Sequence, residues 1–313
     1  MSDILRGLTA AGWPFLFAWV FPSAAGVGAF GLLLFPAIDH LPVAREIAAL
    51  TTTERALIMA AVAVGLAISL SAISTPLYRV LEGYTLWPHR LQEWAVAKQR
   101  ERKRKTESKV KEAAEGWQQA LLYEELNRFP VDDSEIVPTA LGNAIRASET
   151  YAADRFNLDS QNFWSELYSV VPESLQGAYD QARAEIDFFV SLFYMVGAFG
   201  ASAAMIALGT ASFSLLPMAF VAFVLMPVCY RLATASTTYL NETVRGIVNV
   251  GRVGLAASLG LSLPPTLELE REMWGIVNAF TFYPYEDEWA SRLDEFRARA
   301  VASRMLWKST GST

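Results

Sequence analysis

Three long uncharged stretches, in a chain with no alternating strand pattern, predict an all-α integral membrane protein. The expected architecture is four transmembrane helices with an α-helical cytoplasmic layer. The stretches run from Gly7 to Ile38, from Ala56 to Tyr78 and from Phe188 to Tyr230. A helix needs about 20 apolar residues to cross the hydrocarbon core, so the first two predict one crossing each. The third is long enough for two, joined at Gly209-Thr210-Ala211-Ser212-Phe213-Ser214, where glycine and hydroxyl residues suit a tight turn. Across all 313 residues the chain is 53% hydrophobic and 19% charged, against about 25% charged in an average soluble domain. Its mean hydropathy is +0.25. These values exclude a disordered chain and a collagen-like repeat, and the lone Cys229 excludes an intrachain disulfide framework.

The first stretch lacks a clear basic leader, and its apolar part far exceeds the roughly 7–15 residues of a signal-peptide core. It predicts a retained helix kinked at Pro22. Lysine and arginine near helix ends set orientation. Between Arg79 and Lys111 there are ten basic and four acidic residues, a net of +6, whereas the loop from Asp39 to Arg55 has only Arg45 and Arg55 against three carboxylates. The segment after the second helix is therefore expected on the cytoplasmic side of an inner membrane, with both termini. Four segments follow: residues 1–78 with helices 1 and 2, residues 79–185 as a cytoplasmic helical region, residues 186–232 as a helical hairpin, and residues 233–313 as C-terminal cytoplasmic helices.

From Leu91 to Arg128 the composition favours one long helix, polar on every side at Gln99–Lys105. Its basic run Arg102-Lys103-Arg104-Lys105 has two readings: a topology determinant meeting anionic head groups, or an electropositive site for nucleic acid or nucleotide. From Glu112 to Glu185 the balance reverses, with fourteen acidic residues against Arg128, Arg146, Arg155 and Arg183. The segment from Pro138 reads as a turn into a helix that Asp154–Asp159 breaks. Phe163, Trp164, Leu167 and Tyr168 begin a short helix stopped by Pro172, and Glu173 to Glu185 runs directly into the third membrane helix. Beyond the fourth, helical spacing continues to Leu261. Pro264-Pro265 ends it, Thr266 with Glu268–Glu272 opens another helix, and a last one passes through Trp289, Leu293 and Phe296.

Two segments carry a resemblance. Pro138-Thr139-Ala140-Leu141-Gly142-Asn143, followed by Arg146, Glu149, Tyr151, Arg155 and Asp159, is one. Arg245, Arg252 and Leu261 to Pro264, with Glu270, Arg271 and Trp274, is the other. Together they resemble a group of prokaryotic multi-pass membrane proteins, many of unknown function, over Pro138 to about Phe280. Where that pattern has an arginine–aromatic–glycine step this chain has Arg155-Phe156-Asn157, and asparagine tolerates the left-handed conformation glycine would supply. The layout also resembles membrane effectors of bacterial antiphage defence, in particular the Hailong type. That resemblance implies an oligomeric ion channel controlled by an oligonucleotide made by a cytosolic nucleotidyltransferase partner.

No Walker-type loop, HExxH or paired cysteine–histidine spacing occurs, so the chain is expected to be no enzyme and to need no cofactor or metal. Arg146, Arg155, Arg245 and Arg252 lie in apolar or small-residue surroundings. They either pair with local carboxylates or face phosphates. Gly246, Gly251 and Gly254 would admit a backbone or a ligand at close range. Helix 2 carries Ala61, Gly65 and Ser69 at four-residue spacing, and helix 3 has Gly197 and Ala201, a pattern that permits close helix contact. Ser69, Ser71, Ser74 and Thr75 are the residues that would line a pore in a homo-oligomer. The expectation from sequence is a ligand-gated oligomeric pore. Its alternative is a non-conducting scaffold that anchors a cytosolic partner at the lipid bilayer.

Overall fold

A computed structural model describes residues 12–113, 116–283 and 286–297. Among these residues the protein is helical throughout, with no strand. Four helices are long and apolar enough to span a membrane: α1 (Gly12–Ala37), α3 (Thr52–Ala72), α9 (Glu173–Gly209) and α10, which fills most of the span Phe213–Ser258 and runs from Leu216 to Ser258. Around them lie α2 (Pro42–Ala49), α4 (Ser74–Glu82), α5 (His89–Glu112), α6 (Trp117–Leu126), α7 (Ala140–Phe156), α8 (Trp164–Val170) and α11 (Leu267–Phe282). A last helical stretch covers 287–297. The expected start of the first stretch, residues 7–11, and both chain termini lie outside the described residues.

The chain divides into two compact units that interleave in sequence. Of the described residues, the first comprises 12–95, 138–142 and 180–238. Here α1 departs from a regular helix: Leu16–Val20 and Phe30–Leu34 are π-turns on either side of the α-helical Phe21–Ala29, whose second residue is Pro22. Proline lacks an N–H and clashes with the carbonyl four residues back, and the widened turn Leu16–Val20 just before Pro22 absorbs both effects. The second widened turn, Phe30–Leu34, leads into the 3-10 turn Phe35–Ala37 that holds Pro36. Ala18 and Trp19 of α1 pack against Ala67 of α3 and Ala184 of α9. Nearby, the Ser191 hydroxyl donates to the Ala18 carbonyl at 2.7 Å. A second apolar cluster joins Leu34 to Ala203 and Ala207 of α9 and to Leu215 and Ala219. The Asp39–Arg55 connection contains α2, and α3 opens on a capping box in which Thr51 and Glu54 satisfy each other's backbone N–H. Gly83 ends α4 at φ +93°, and a Cβ there would lie 2.9 Å from the Pro138 ring, so both the backbone and the contact require glycine.

Of the described residues, the second unit comprises 96–113, 116–137, 143–179, 239–283 and 286–297. Its core is built from Leu158, Leu167, Ile247, Leu255, Met273 and Trp274, all fully buried. α8 lies against the glycine face of α10. A Cβ on Gly251 would sit 2.9 Å from Val171, and one on Gly254 would sit 3.1 Å from Val170. The close approach expected at these glycines is therefore made by the chain itself. Thr266 caps α11 by accepting from the Leu269 N–H at 3.4 Å, as its position before Glu268 predicts.

One element differs from expectation. The helix expected over Leu91–Arg128 is two helices, because α5 ends at Glu112 and Gly116, at φ +132°, precedes α6. Nor is the centre of α5 free of contacts. The segments that follow fold back on it, drawn by the carboxylates that dominate after Glu112.

Candidate functional site

The basic run of α5 is held by those carboxylates. Lys103 is only 4% exposed, and its ammonium donates to the Val131 carbonyl and to Asp133 Oδ1, both at 2.7 Å. Arg102 pairs with Glu125 at 2.8 Å, and Lys105 pairs with Glu101 at 2.6 Å within its own helix. Arg104 lies 3.9 Å from Asp133 and is largely exposed. The four cations expected as a ligand surface are thus spread over three acidic partners, Asp133 being shared by Lys103 and Arg104, and Lys103 is buried.

This staple titrates. The hydrogen bond from Lys103 holds the Asp133 carboxyl below the usual aspartate range. A smaller effect of burial opposes it, and the charges of Lys103, Arg104 and Arg100 act with it. A lowered folded pKa gives stability that is present above the unfolded value and lost as pH falls through the folded one. The protection of the α5 amides around Lys103 against hydrogen exchange, relative to an unfolded chain at the same pH, should therefore stay high at about pH 5 and fall below the ordinary aspartate range near pH 4. In Asp133→Asn that protection should be low at both. Equal rates in the variant and the native protein at about pH 5 would show that the ion pair contributes nothing.

The arginines of the second unit fall into two groups. Arg146 on α7 is engaged: Glu135 Oε2 lies 2.5 Å from Nη2 and 2.7 Å from Nε, and Glu149 lies 3.1 Å from Nη1. Burial alone would lower its pKa, but the two carboxylates outweigh burial and raise it. Arg252 on α10 is engaged too. Its Nε donates to Glu270 at 2.8 Å, Nη1 donates to the Asn249 carbonyl, and the guanidinium lies 4.4 Å over the Phe156 ring. The Trp274 indole shares the same Glu270 oxygen at 3.3 Å.

Arg155 and Arg245 differ. Arg155, at the end of α7, is exposed, and its side chain makes no hydrogen bond or ion pair among the described residues. Its carbonyl and that of Asp154 accept from Arg271 at 2.9 and 2.8 Å, which closes the C-terminus of the helix. Arg245 lies 5.3 Å over the Tyr151 ring and touches only the Asn127 carbonyl, at 3.5 Å, while its buried Nε has no partner among the described residues. Tyr151 in turn donates to Asn249 at 3.1 Å. An arginine–aromatic seam thus joins α7 and α10, with Arg245 its least satisfied member.

The residues expected to line a pore lie around the junction of α3 and α4. Ser69 and Thr75 are exposed, while Ser71 and Ser74 are half-buried. Ser69 donates to the Gly65 carbonyl at 2.8 Å, which satisfies its hydroxyl within the helix. The buried residues of α3 are Ala63 and Ala67, so the Ala61, Gly65 and Ser69 stripe faces away from the rest of the unit.

A polar cluster where α9 enters its apolar part escaped the sequence reading. The Tyr78 hydroxyl donates to Asp187 at 2.6 Å, Arg183 approaches Asp187 to 3.5 Å, and the Arg183 guanidinium lies 4.7 Å over the Tyr78 ring. Beside it opens a cleft of about 360 Å³ lined by Phe15, Trp19, Asp180, Arg183 and Asp187. The available signal was the Arg183–Asp187 spacing, one helical turn at the very edge of an uncharged stretch.

Among the described residues no group of three or more histidine, cysteine or carboxylate side chains is placed to hold a metal ion. Compared with known proteins, the chain matches no family model, no curated protein and no solved structure. What stands from sequence and geometry together is an all-α, multi-pass membrane protein with an arginine–aromatic seam in its second unit.

Proposed function

We propose that this protein is a ligand-gated, homo-oligomeric membrane pore whose arginine-bearing helices face the cytoplasm and sense an oligonucleotide, as the resemblance to Hailong-type effectors of antiphage defence implies. The observation that carries the reading is α10. One uninterrupted helix, Leu216–Ser258, contains both an apolar span and the residues Arg245 and Arg252. A ligand that engages Arg245 therefore acts on the same hydrogen-bonded helix that lines or flanks the membrane path. Pro227 lies inside that helix and removes one backbone hydrogen bond, which gives it a place to bend. The exposed Ser69 and Thr75 would supply polar groups for a path formed between subunits.

The test is purified protein in a planar bilayer, recorded before and after short single-stranded oligonucleotides are added. Discrete currents that change with the oligonucleotide are the expected result. Electrical silence in both conditions, with insertion demonstrated, would replace the pore with a membrane-anchored scaffold. Trp117, Leu121 and Val131 favour that second reading, because all three are strongly exposed apolar side chains on the second unit.

A further inference from the structure

The first unit holds two cavities along the same pair of helices, α1 and α9, and they differ in character. One is the cleft of about 360 Å³ beside Tyr78, lined by Phe15, Trp19, Asp180, Arg183 and Asp187. The other, of about 470 Å³, is a groove lined by apolar residues alone, among them Ala29, Leu33, Met195, Phe199, Met218 and Leu225. Between the two, the helices stay packed. Ala18 and Trp19 cluster with Ala184, and the Phe17 and Phe188 rings stack at 4.8 Å. The Ser191 hydroxyl reaches the Ala18 carbonyl at 2.7 Å, and a Cβ on Gly26 would collide with Met195. Ala184 lines the cleft and Met195 lines the groove. Both belong to α9, where their spacing of about three turns puts them on one face, about 16 Å apart. One bilayer leaflet with its head groups is about 20–22 Å thick. The charge-free stretch of α9 begins at Phe188, next to Asp187, so the cleft lies at head-group level and the groove in the hydrocarbon of the same leaflet.

We infer that α1 and α9 bind one phospholipid whose head group ends in a primary ammonium, with its phosphate at Arg183, its ammonium at Asp180 and Asp187, and an acyl chain in the groove. The pairing of a charged cleft with an apolar groove selects an amphiphile. Charge selects the head group. Two carboxylates and one guanidinium line the cleft, a net of −1, which opposes an anionic lipid and suits a phosphate followed by an ammonium. Arginine matches the phosphate geometry. Asp187 accepts from Tyr78 at Oδ1, the oxygen that Arg183 also approaches, and its Oδ2 makes no hydrogen bond among the described residues. An ammonium with N–H groups donates to that oxygen and to Asp180, whereas a trimethylated one has nothing to donate. Phe15 and Trp19 add aromatic rings, which attract a cation. Leu33, Val221 and Leu225 are exposed, so the groove is open at the surface of the unit, where an acyl chain enters from the bilayer.

This site is independent of the pore and of its ligand, because lipid retention is read on protein that conducts nothing. The full-length protein, stripped of lipid in detergent, is titrated with phosphatidylethanolamine, phosphatidylcholine and phosphatidylglycerol of identical acyl chains. Native mass spectrometry counts the lipids retained. A single phosphatidylethanolamine should be held about tenfold more tightly than either of the others, the effect of one charge-assisted hydrogen bond. Asp180→Ala, at an exposed carboxylate, should remove that preference and leave phosphatidylcholine retention as in the native protein. Ala29→Phe puts a ring into the groove while keeping the span apolar, and should lower retention of all three lipids. Should Ala29→Phe fail to fold, Asp180→Ala carries the test. Equal retention of the three lipids by the native protein would overturn the inference, and so would an unchanged preference in Asp180→Ala. Folded native protein that retains no lipid would overturn it as well. A crosslink between two copies carrying Ala29→Cys would give the groove to a second copy of the chain, with the same consequence.

Discussion

Replacing Glu270 with leucine should unfold the second unit's core or bring it close to unfolding. Glu270 is 6% exposed, and one of its oxygens accepts from both Arg252 and the Trp274 indole. Removing the carboxylate leaves a partly buried guanidinium with no counter-ion and a fully buried indole N–H with no acceptor. Deleting one partner of a buried ion pair costs about 3–5 kcal/mol, a large share of the 5–15 kcal/mol that holds a typical domain together. Glu270→Gln keeps an acceptor and should cost less. The informative variant is the double replacement Arg252→Met with Glu270→Leu. Exchanging a whole buried pair for apolar groups of similar volume is often neutral, so the double variant should recover most of the stability lost by Glu270→Leu. Thermal unfolding in detergent, followed by proteolysis of the second unit, measures all three. A double variant no more stable than Glu270→Leu would mean that Arg252 is held by Phe156 and Asn249, and not by its ion pair.

The membrane helices were legible because a charge is excluded from the hydrocarbon core whatever surrounds it, so charge-free length alone marks a span. Local backbone chemistry was legible for a similar reason. Asn157 does adopt φ +57°, Thr266 does cap α11, and Pro172 does separate α8 from α9. Each depends on neighbours within a few residues. The failures depend on partners far away in sequence. Lys103 looks solvated in a run of cations, and only the return of Asp133, 30 residues later, buries it. The break between α5 and α6 sits in a segment rich in helix formers, and Gly116 stands immediately before α6 with a positive φ. Arg245 and Tyr151 are almost a hundred residues apart, so no window along the chain could separate an arginine on an aromatic ring from one in an ion pair. Asn157 combines both kinds of determinant. Its own chemistry permits the left-handed backbone, but it is held there by Asn278 donating to its carbonyl at 2.7 Å and by its amide donating to the Arg271 carbonyl at 3.0 Å.

The contact between α9 and α10 shows how a correct pattern can be one residue out of place, and it yields the second large effect. Small residues at four-residue spacing suggested Gly197 and Ala201 as the point of approach, yet Ala201 is exposed and the close contact lies at Gly200. A Cβ on Gly200 would stand 3.0 Å from Ala222 Cβ and 3.5 Å from the Ala219 carbonyl oxygen, neither of which can rotate away. At Gly197 the obstacle is the flexible end of Met226, with Cε at 3.0 Å. The two glycines should therefore respond differently to the same methyl group. Gly197→Ala should change little, because methionine readily adopts another rotamer. Gly200→Ala should cost about 1–3 kcal/mol, the usual range for overpacking, and Gly200→Leu should separate the hairpin altogether. Both remain apolar, so membrane insertion should be unaffected while thermal stability in detergent falls. Ala222→Gly restores the lost room and should rescue Gly200→Ala but not an unrelated destabilised variant. Equal stability of Gly197→Ala and Gly200→Ala would refute the asymmetry. In the proposed pore, Gly200→Leu should also lose oligonucleotide-dependent current, because the damage lies in the membrane-spanning hairpin.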